Sequence, residues 1–255
     1  MGYKLIKLNQ MPHRLDISLN NPPVNILTGE VMKELTNALQ EAEKDESLRI
    51  VVLKSEGKAW SAGADVSEHL PDKYEEMLYV FGELCETVRK FPLPTIAAVD
   101  GMCLGGGCEL ACMCDFIIAS ERSKFGQPEV KVGVLPPVAC AIFPRKYGLK
   151  TTLDIVLTGE TFSATEAYRM GLITKLTSLE DFGAACEAFA GNLTNHSAAV
   201  MKWVKKSAWK GAKHRPKEAL KKIDEIYREK LMQTHDAVEG IKAFLEKRKP
   251  EWKDN

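Results

Sequence analysis

The 255-residue chain carries 35 basic and 35 acidic side chains and is 45% apolar, enough to bury one sizeable core or two small ones. Its zero net charge gives no global field to attract nucleic acid or an anionic membrane. Seven scattered cysteines lack the paired spacing of a zinc site and point to a reducing compartment, and no apolar run is long enough to span a membrane. A cytoplasmic protein with no metal, no membrane partner and no nucleic-acid partner is expected. In chain order, residues 3–8 and 14–19 read as a hairpin-like pair of strands, ended by Asn20-Asn21-Pro22-Pro23. Val31, Leu35, Leu39 and Ala42 recur at helical spacing and predict a helix over 29–44. Ile50-Val51-Val52-Leu53 is a β-branched run of the kind buried on both faces. A small-residue loop follows at 61–65, then a helix over 74–89 and a buried strand over 95–99. Strand character returns at 116–119 and around Phe125. Repeated strand–helix–strand units imply an α/β fold with a largely parallel sheet and helices outside it.

From Lys150 onward the pattern turns helical. Ser163 and Glu166 have capping-box spacing, and Gly171 closes that helix. Further helices are expected over 181–192, 198–209, 216–232 and 238–247. Their apolar stripes need a partner, either the first part of the chain or another subunit. Residues 202–222 are rich in Lys and Arg; a solvated helix face accounts for them, with a local basic surface as the alternative.

The chemistry concentrates after the strand at 95–99, where Gly105-Gly106-Gly107 precedes Cys108-Glu109-Leu110. Glycines there let the backbone approach a ligand, and free N–H groups at a helix start can hold negative charge. A phosphate or an oxyanion would fit, as would simple close packing of helix on sheet; neither the dinucleotide fingerprint nor a P-loop is present. Glu109 sits among Cys108, Leu110, Ala111 and Cys112, which predicts burial and a raised pKa suited to acid–base work near neutral pH. The competing reading is a structural glutamate stabilised by the helix dipole. Cys108, Cys112 and Cys114 lie in the same apolar run and read as core. Glu129, in Phe125-Gly126-Gln127-Pro128-Glu129, is separated from Glu109 by enough chain for a helix, a strand and a turn. That path can bring the two carboxylates to one sheet edge, where they would divide into base and proton donor.

Five segments, taken in order, resemble the crotonase (enoyl-CoA hydratase/isomerase) superfamily: Ser61 to Asp65, Leu104 to Leu110, Cys114-Asp115, Phe125 to Glu129, and the late series Gly159, Ala164, Ala167, Gly171-Leu172. The likeness runs nearly the whole length, to Lys249. It implies a spiral of ββα units over 1–194, holding the coenzyme A and active sites, and a helical trimerisation region over 195–255, in a homotrimer or a dimer of trimers. It also implies an oxyanion hole from the N–H groups of Ala64 and Gly106, and a hydratase pair in Glu109 and Glu129, with Glu129 giving the α-carbon its proton. Trp60, Ala62 and Ala64 would contact the coenzyme, and Phe244 and Lys247 would reach the coenzyme of a neighbouring subunit. No separate cofactor is implied, because coenzyme A is part of the substrate. Double-bond isomerisation is the alternative on the same fold. An RNA-binding role through 202–222, as in one relative, is the alternative of another class, opposed by the neutral charge and the lack of an RNA-binding motif.

The chain departs from the family after Glu129. It reads Gly133-Val134-Leu135-Pro136-Pro137-Val138-Ala139, with Pro137 where the hydratases place a glycine whose N–H helps hold the catalytic water. Proline has no N–H, so the water must be held differently, unless the loop has simply drifted. The segment resembles cyclohexa-1,5-diene-1-carbonyl-CoA hydratases of anaerobic benzoyl-CoA degradation. On that likeness Leu135, Pro136, Pro137 and Val138, with His69 near the entrance, would form a rigid acyl pocket suited to a ring. For His69 a plain loop position is the other reading, and for Trp60 core packing.

Overall fold

The computed structural model describes residues 2–255. Strands β1 (Ile6–Met11) and β2 (Arg14–Leu19) form an antiparallel pair and lead into α1 (Gly29–Ala42). Three turns of a spiral follow, each with two strands and then helix. They contribute β3 (Ile50–Ser55), β4 (Ala59–Ser61) and α2 (Tyr74–Lys90), then β5 (Thr95–Val99), β6 (Met102–Leu104) and α3 (Gly106–Met113). The third holds β7 (Phe116–Ser120), β8 (Lys124–Gly126), α4 (Pro137–Lys146) and α5 (Leu149–Thr158). A short strand β9 (Thr161–Ser163), helix α6 (Ala164–Arg169) and strand β10 (Lys175–Thr177) close the spiral. The first strand of each turn enters a six-stranded sheet, ordered β1-β2-β3-β5-β7-β10; the second enters a four-stranded sheet, ordered β4-β6-β8-β9. The successive turns pair in parallel. Each turn therefore starts on one sheet, crosses to the other and leaves β4, β6 or β8 toward its helix.

Packing follows the patterns that predicted the helices. Helix α1 buries Val31, Leu35 and Leu39, and α2 buries Met77, Val80, Phe81, Leu84 and Val88. Helix α3 is buried at all eight positions, so its small residues, Gly106, Gly107, Cys108, Ala111 and Cys112, are what allow it to lie between the sheets. The capping box at Ser163 forms as its spacing requires. The tail is α7 (Phe182–Thr194), α8 (Ala198–Gly211), α9 (Pro216–Glu229) and α10 (His235–Leu245). Lys205 of α8 donates to Asp115 Oδ2 (2.5 Å) and to the Leu93 carbonyl (2.9 Å), and Arg49 donates to Asp254 Oδ2 (3.0 Å). These ties hold the helical tail against the sheet.

Three elements differ from the sequence reading. The region after Lys150 is not purely helical, because β9 and β10 are three-residue strands completed by their partners β8 and β7. Residues 137–146, to which the sequence reading assigns no element, form α4. Its first residue is Pro137, whose fixed φ suits the first helical position, while Pro144 inside it masks the helical signal.

Candidate active site

The segments that leave β4, β6 and β8 of the four-stranded sheet meet at the N-terminus of α3. Gly105 precedes that helix with φ 51° and ψ −131°, a conformation open to glycine alone. A β-carbon there would stand 2.7 Å from Glu129 Oε1. The glycine thus makes room for a carboxylate. One residue on, a β-carbon at Gly106 would lie 3.3 Å from the backbone nitrogen of Ala64, so the two loops are in close contact. Ala64 forms a parallel bridge with Leu27, in which Gly63 O and the Asp65 N–H make the hydrogen bonds. The Ala64 N–H is left unused by that bridge, and the Gly106 N–H, first in its helix, has no intrahelical acceptor. Both residues line one cleft of about 830 Å³.

Glu109 and Glu129 line the same cleft. Glu109 is 2% exposed. Burial pushes its carboxyl up to about 8; the nearby Glu129 charge pushes the same way, against amide donation from Ala139 and Val138. The Ala139 N–H donates to Glu109 Oε1 at 2.7 Å. These amides are the first that α4 can offer, because Pro136 and Pro137 have none. The helix terminus is therefore spent on the carboxylate. Glu129 lies in the 3-10 segment Pro128–Val132, half-buried, and burial raises it to about 7. Beside it Gln127 is fully buried; turned to donate, its amide reaches both Glu129 oxygens, at 3.0 and 3.1 Å.

One wall of the cleft comes from the 3-10 turn Val66–His69 and α2, with His69, Leu70, Met77 and Phe81; the facing wall holds Val132, Val134, Leu135 and Pro137. His69 has its Nδ1 3.0 Å from the Asp65 carbonyl. Of the residues singled out from the sequence, Ala62, Ala64, His69, Gly106, Glu109, Glu129, Leu135 and Pro137 meet in this cleft. Pro136 and Val138 stand behind it, at the start of α4. Trp60 does not reach it. Its ring is fully buried and its indole N–H donates to the Gly107 carbonyl at 3.2 Å, so it packs in the core instead of stacking on a coenzyme. Phe244, in the last turn of α10, and Lys247, just after that helix, are exposed and do not line this chain's cleft. Sequence reasoning missed Gln127 and the α2 wall. The signal for Gln127 was its place next to Pro128-Glu129, while Met77 and Phe81 looked like ordinary core positions of a helix.

An apolar cleft with two free N–H groups can hold an oxygen on which negative charge develops. Two carboxyls whose pKa values lie near neutrality can hold and move a proton beside it.

The family model described as enoyl-CoA hydratase/isomerase matches residues 15–255. A cyclohexa-1,5-dienecarbonyl-CoA hydratase of Thauera aromatica is 35% identical over 240 residues, covering 94% of this chain and 93% of that protein. A probable enoyl-CoA hydratase of Bacillus subtilis is 33% identical over 247 residues, covering 93% and 94%. The crystal structure of an enoyl-CoA hydratase from Bacillus anthracis superposes with a TM-score of 0.93 at 28% identity, over 99% of this chain and 100% of that one.

Proposed function

The chain belongs to the enoyl-CoA hydratase/isomerase family of hydro-lyases, and on that premise we propose that it adds water across the conjugated double bond of an enoyl-CoA or dienoyl-CoA thioester. The observation that carries this reading is the pair of glutamates with raised pKa values in one apolar cleft. In this reading the thioester oxygen lies between the N–H groups of Ala64 and Gly106. Water bridges the two carboxyls, its oxygen bonds to the β-carbon, and its proton passes to Glu109. Glu129 gives a proton to the α-carbon, and the charge that builds on the thioester oxygen is held by the two N–H groups. Removing one such donor costs about 10²–10³ in rate.

The pair must then hold one proton between its two carboxyls. Burial places the higher pKa on Glu109, so in the free site the proton rests there more often. Because burial raises both carboxyls toward the neutral range, the form with the proton on Glu129 lies within easy reach. With Pro136 and Pro137 lacking N–H groups and the α4 amides engaged by Glu109, the water is held by the carboxyls themselves. The same prolines stiffen the acyl wall. That stiffness, and the likeness to the Thauera enzyme, support a cyclic dienoyl group as the substrate's acyl part. No metal or separate cofactor enters the scheme.

The test is a spectrophotometric assay of crotonyl-CoA beside cyclohexa-1,5-diene-1-carbonyl-CoA, with Glu109→Gln and Glu129→Gln made singly. Hydration lost in both variants supports the two-glutamate reading, and hydration that survives both sinks it. A preference for crotonyl-CoA would remove the cyclic acyl group while leaving hydration standing.

A further inference from the structure

Sharing no lining residue with the candidate active site, α8 and the end of α2 enclose a second groove, of about 780 Å³. Lys202, Lys206, Lys210 and Lys213 line it; the first three recur every four residues, which puts them on one face of the helix. None of the four has a carboxylate within 4.0 Å among the described residues. Arg89, Lys90 and Lys205 add positive charge, but these are paired already, the first two with Glu86 and the third with Asp115. Among the described residues Asp254 is the one acidic side chain lining the groove, and its two oxygens are taken by Arg49 and the Ala198 N–H. In a chain of zero net charge, this is a local excess of cations on a concave wall.

The groove is also aromatic. Trp203 and Trp209 line it, with Lys206 Nζ 4.8 Å from the Trp203 ring centre and the Arg89 guanidinium 5.5 Å from that of Trp209. Cations facing indole rings keep both groups in place before any ligand arrives. Crowded like charges repel, and an anion relieves that repulsion. A single carboxylate would leave most of the lysines unanswered. A ligand with several negative charges and a flat ring would meet both features, its phosphates on the lysine row and its base against an indole. The volume suits one such molecule.

We propose that this groove binds a nucleoside phosphate, through Lys202, Lys206 and Lys210 to the phosphates and Trp203 to the base. Two sources share this chemistry, a free nucleotide and the adenosine-phosphate end of a coenzyme A thioester. The groove shares no lining residue with the cleft that holds Glu109, so occupancy of the groove is a separate event from the proposed hydration.

Calorimetric titration of the intact protein with ATP, coenzyme A and inorganic pyrophosphate, at low and high salt, tests the assignment. ATP is expected to bind saturably, and more weakly as salt rises. A Lys206→Glu/Lys210→Glu variant should lose at least about tenfold in ATP affinity, and Trp203→Ala should bring ATP down to the affinity of pyrophosphate. Unchanged far-ultraviolet circular dichroism and melting temperature would show that the variants fold. Coenzyme A filling two sites in the parent and one in the charge-reversed variant identifies the coenzyme's own nucleotide as the occupant. One coenzyme site in both proteins, with ATP still binding, identifies a free nucleotide. Equal ATP affinity in parent and charge-reversed variant overturns the proposal, as does single-stranded RNA binding without ATP binding. A changed oligomeric mass in the variant also overturns it, because the groove would then be a contact between copies.

Discussion

Glu109 is held where its charge is unwelcome. Its carboxyl rises from the ordinary 4.5 to about 8 through burial, so the folded state keeps a proton that the unfolded chain gives up. The associated stability is whole below pH 4.5 and is lost as pH climbs through 8, at up to about 1.4 kcal/mol per unit. Glu109→Gln removes that penalty and keeps an acceptor for the Ala139 amide. The variant is expected to melt higher than the parent at pH 9, with little difference at pH 5, and to lose at least about a hundredfold in hydration rate. Equal melting temperatures at pH 9 would show that Glu109 is not strained by ionisation. Glu129 is tuned by what surrounds it. If one shared proton is needed, the rate rises as the pair loses its first proton, near 7, and falls as it loses its second, near 8. Gln127 donates to the carboxylate form of Glu129, and losing a donor to the charged form raises a carboxyl pKa. Gln127→Leu should therefore move the acid limb of the kcat profile to higher pH. An unmoved limb would mean that Gln127 only fills space. Gly105→Ala is expected to cut kcat by more than about tenfold, because its β-carbon would strike Glu129 in a backbone conformation that alanine avoids.

Helix α8 shows how a single buried ion pair fixes an element. Lys205 Nζ meets Asp115 Oδ2 at 2.5 Å, and the same oxygen accepts from the Thr95 N–H (2.8 Å) and hydroxyl (3.1 Å). The pair ties α8 to the start of β5 and the turn after α3, the helix that carries Glu109. Lys205→Met would leave a largely buried carboxylate without its cation, at a cost of about 3–5 kcal/mol, read as a lowered midpoint in chemical unfolding. Of the elements, those with one long apolar period were legible in the sequence: α1, α2, β3 and β5 were expected within a few residues of their observed ends. Those completed by neighbours were not. Strands β9 and β10 are too short to show alternation, and α4 carries a proline in its interior. For the cleft, Glu109 could be anticipated because apolar neighbours on every side predict burial within one short segment. Phe81 could not, since its closeness to Gly106 depends on how α2 crosses α3. Trp60 misled because an indole beside an oxyanion loop reads equally well as ligand platform and as core.

At the scale of the whole molecule, the helical tail leaves apolar surface uncovered. Leu220 on α9 is 64% exposed, and Phe244 and Leu245 at the end of α10 are 83% and 73% exposed. Helices α9 and α10 bury few of their own side chains against the core: Ala219 and Ile226 on α9, Asp236 and Ala243 on α10. Large apolar side chains turned outward on helices that bury so few residues fit a face that packs against another copy. The tail itself is firmly anchored, with buried Asp236 accepting from the Lys253 and Asp254 amides at 2.8 Å each, so the outward face is a fixed surface. The exposed face fits association of copies, and the resemblance to the family implies three; light scattering is then expected to give three times the mass of one chain, or six times as paired trimers. Leu220→Glu should shift it toward the single-chain mass. If Phe244 and Lys247 of one copy reach the coenzyme held by the next, the dissociated variant must also bind substrate poorly. Its KM is expected to rise about tenfold or more, and Phe244→Ala should raise KM in the same direction with the oligomer intact. A single-chain variant with an unchanged KM would place the whole coenzyme site within one copy and leave Phe244 a packing residue alone.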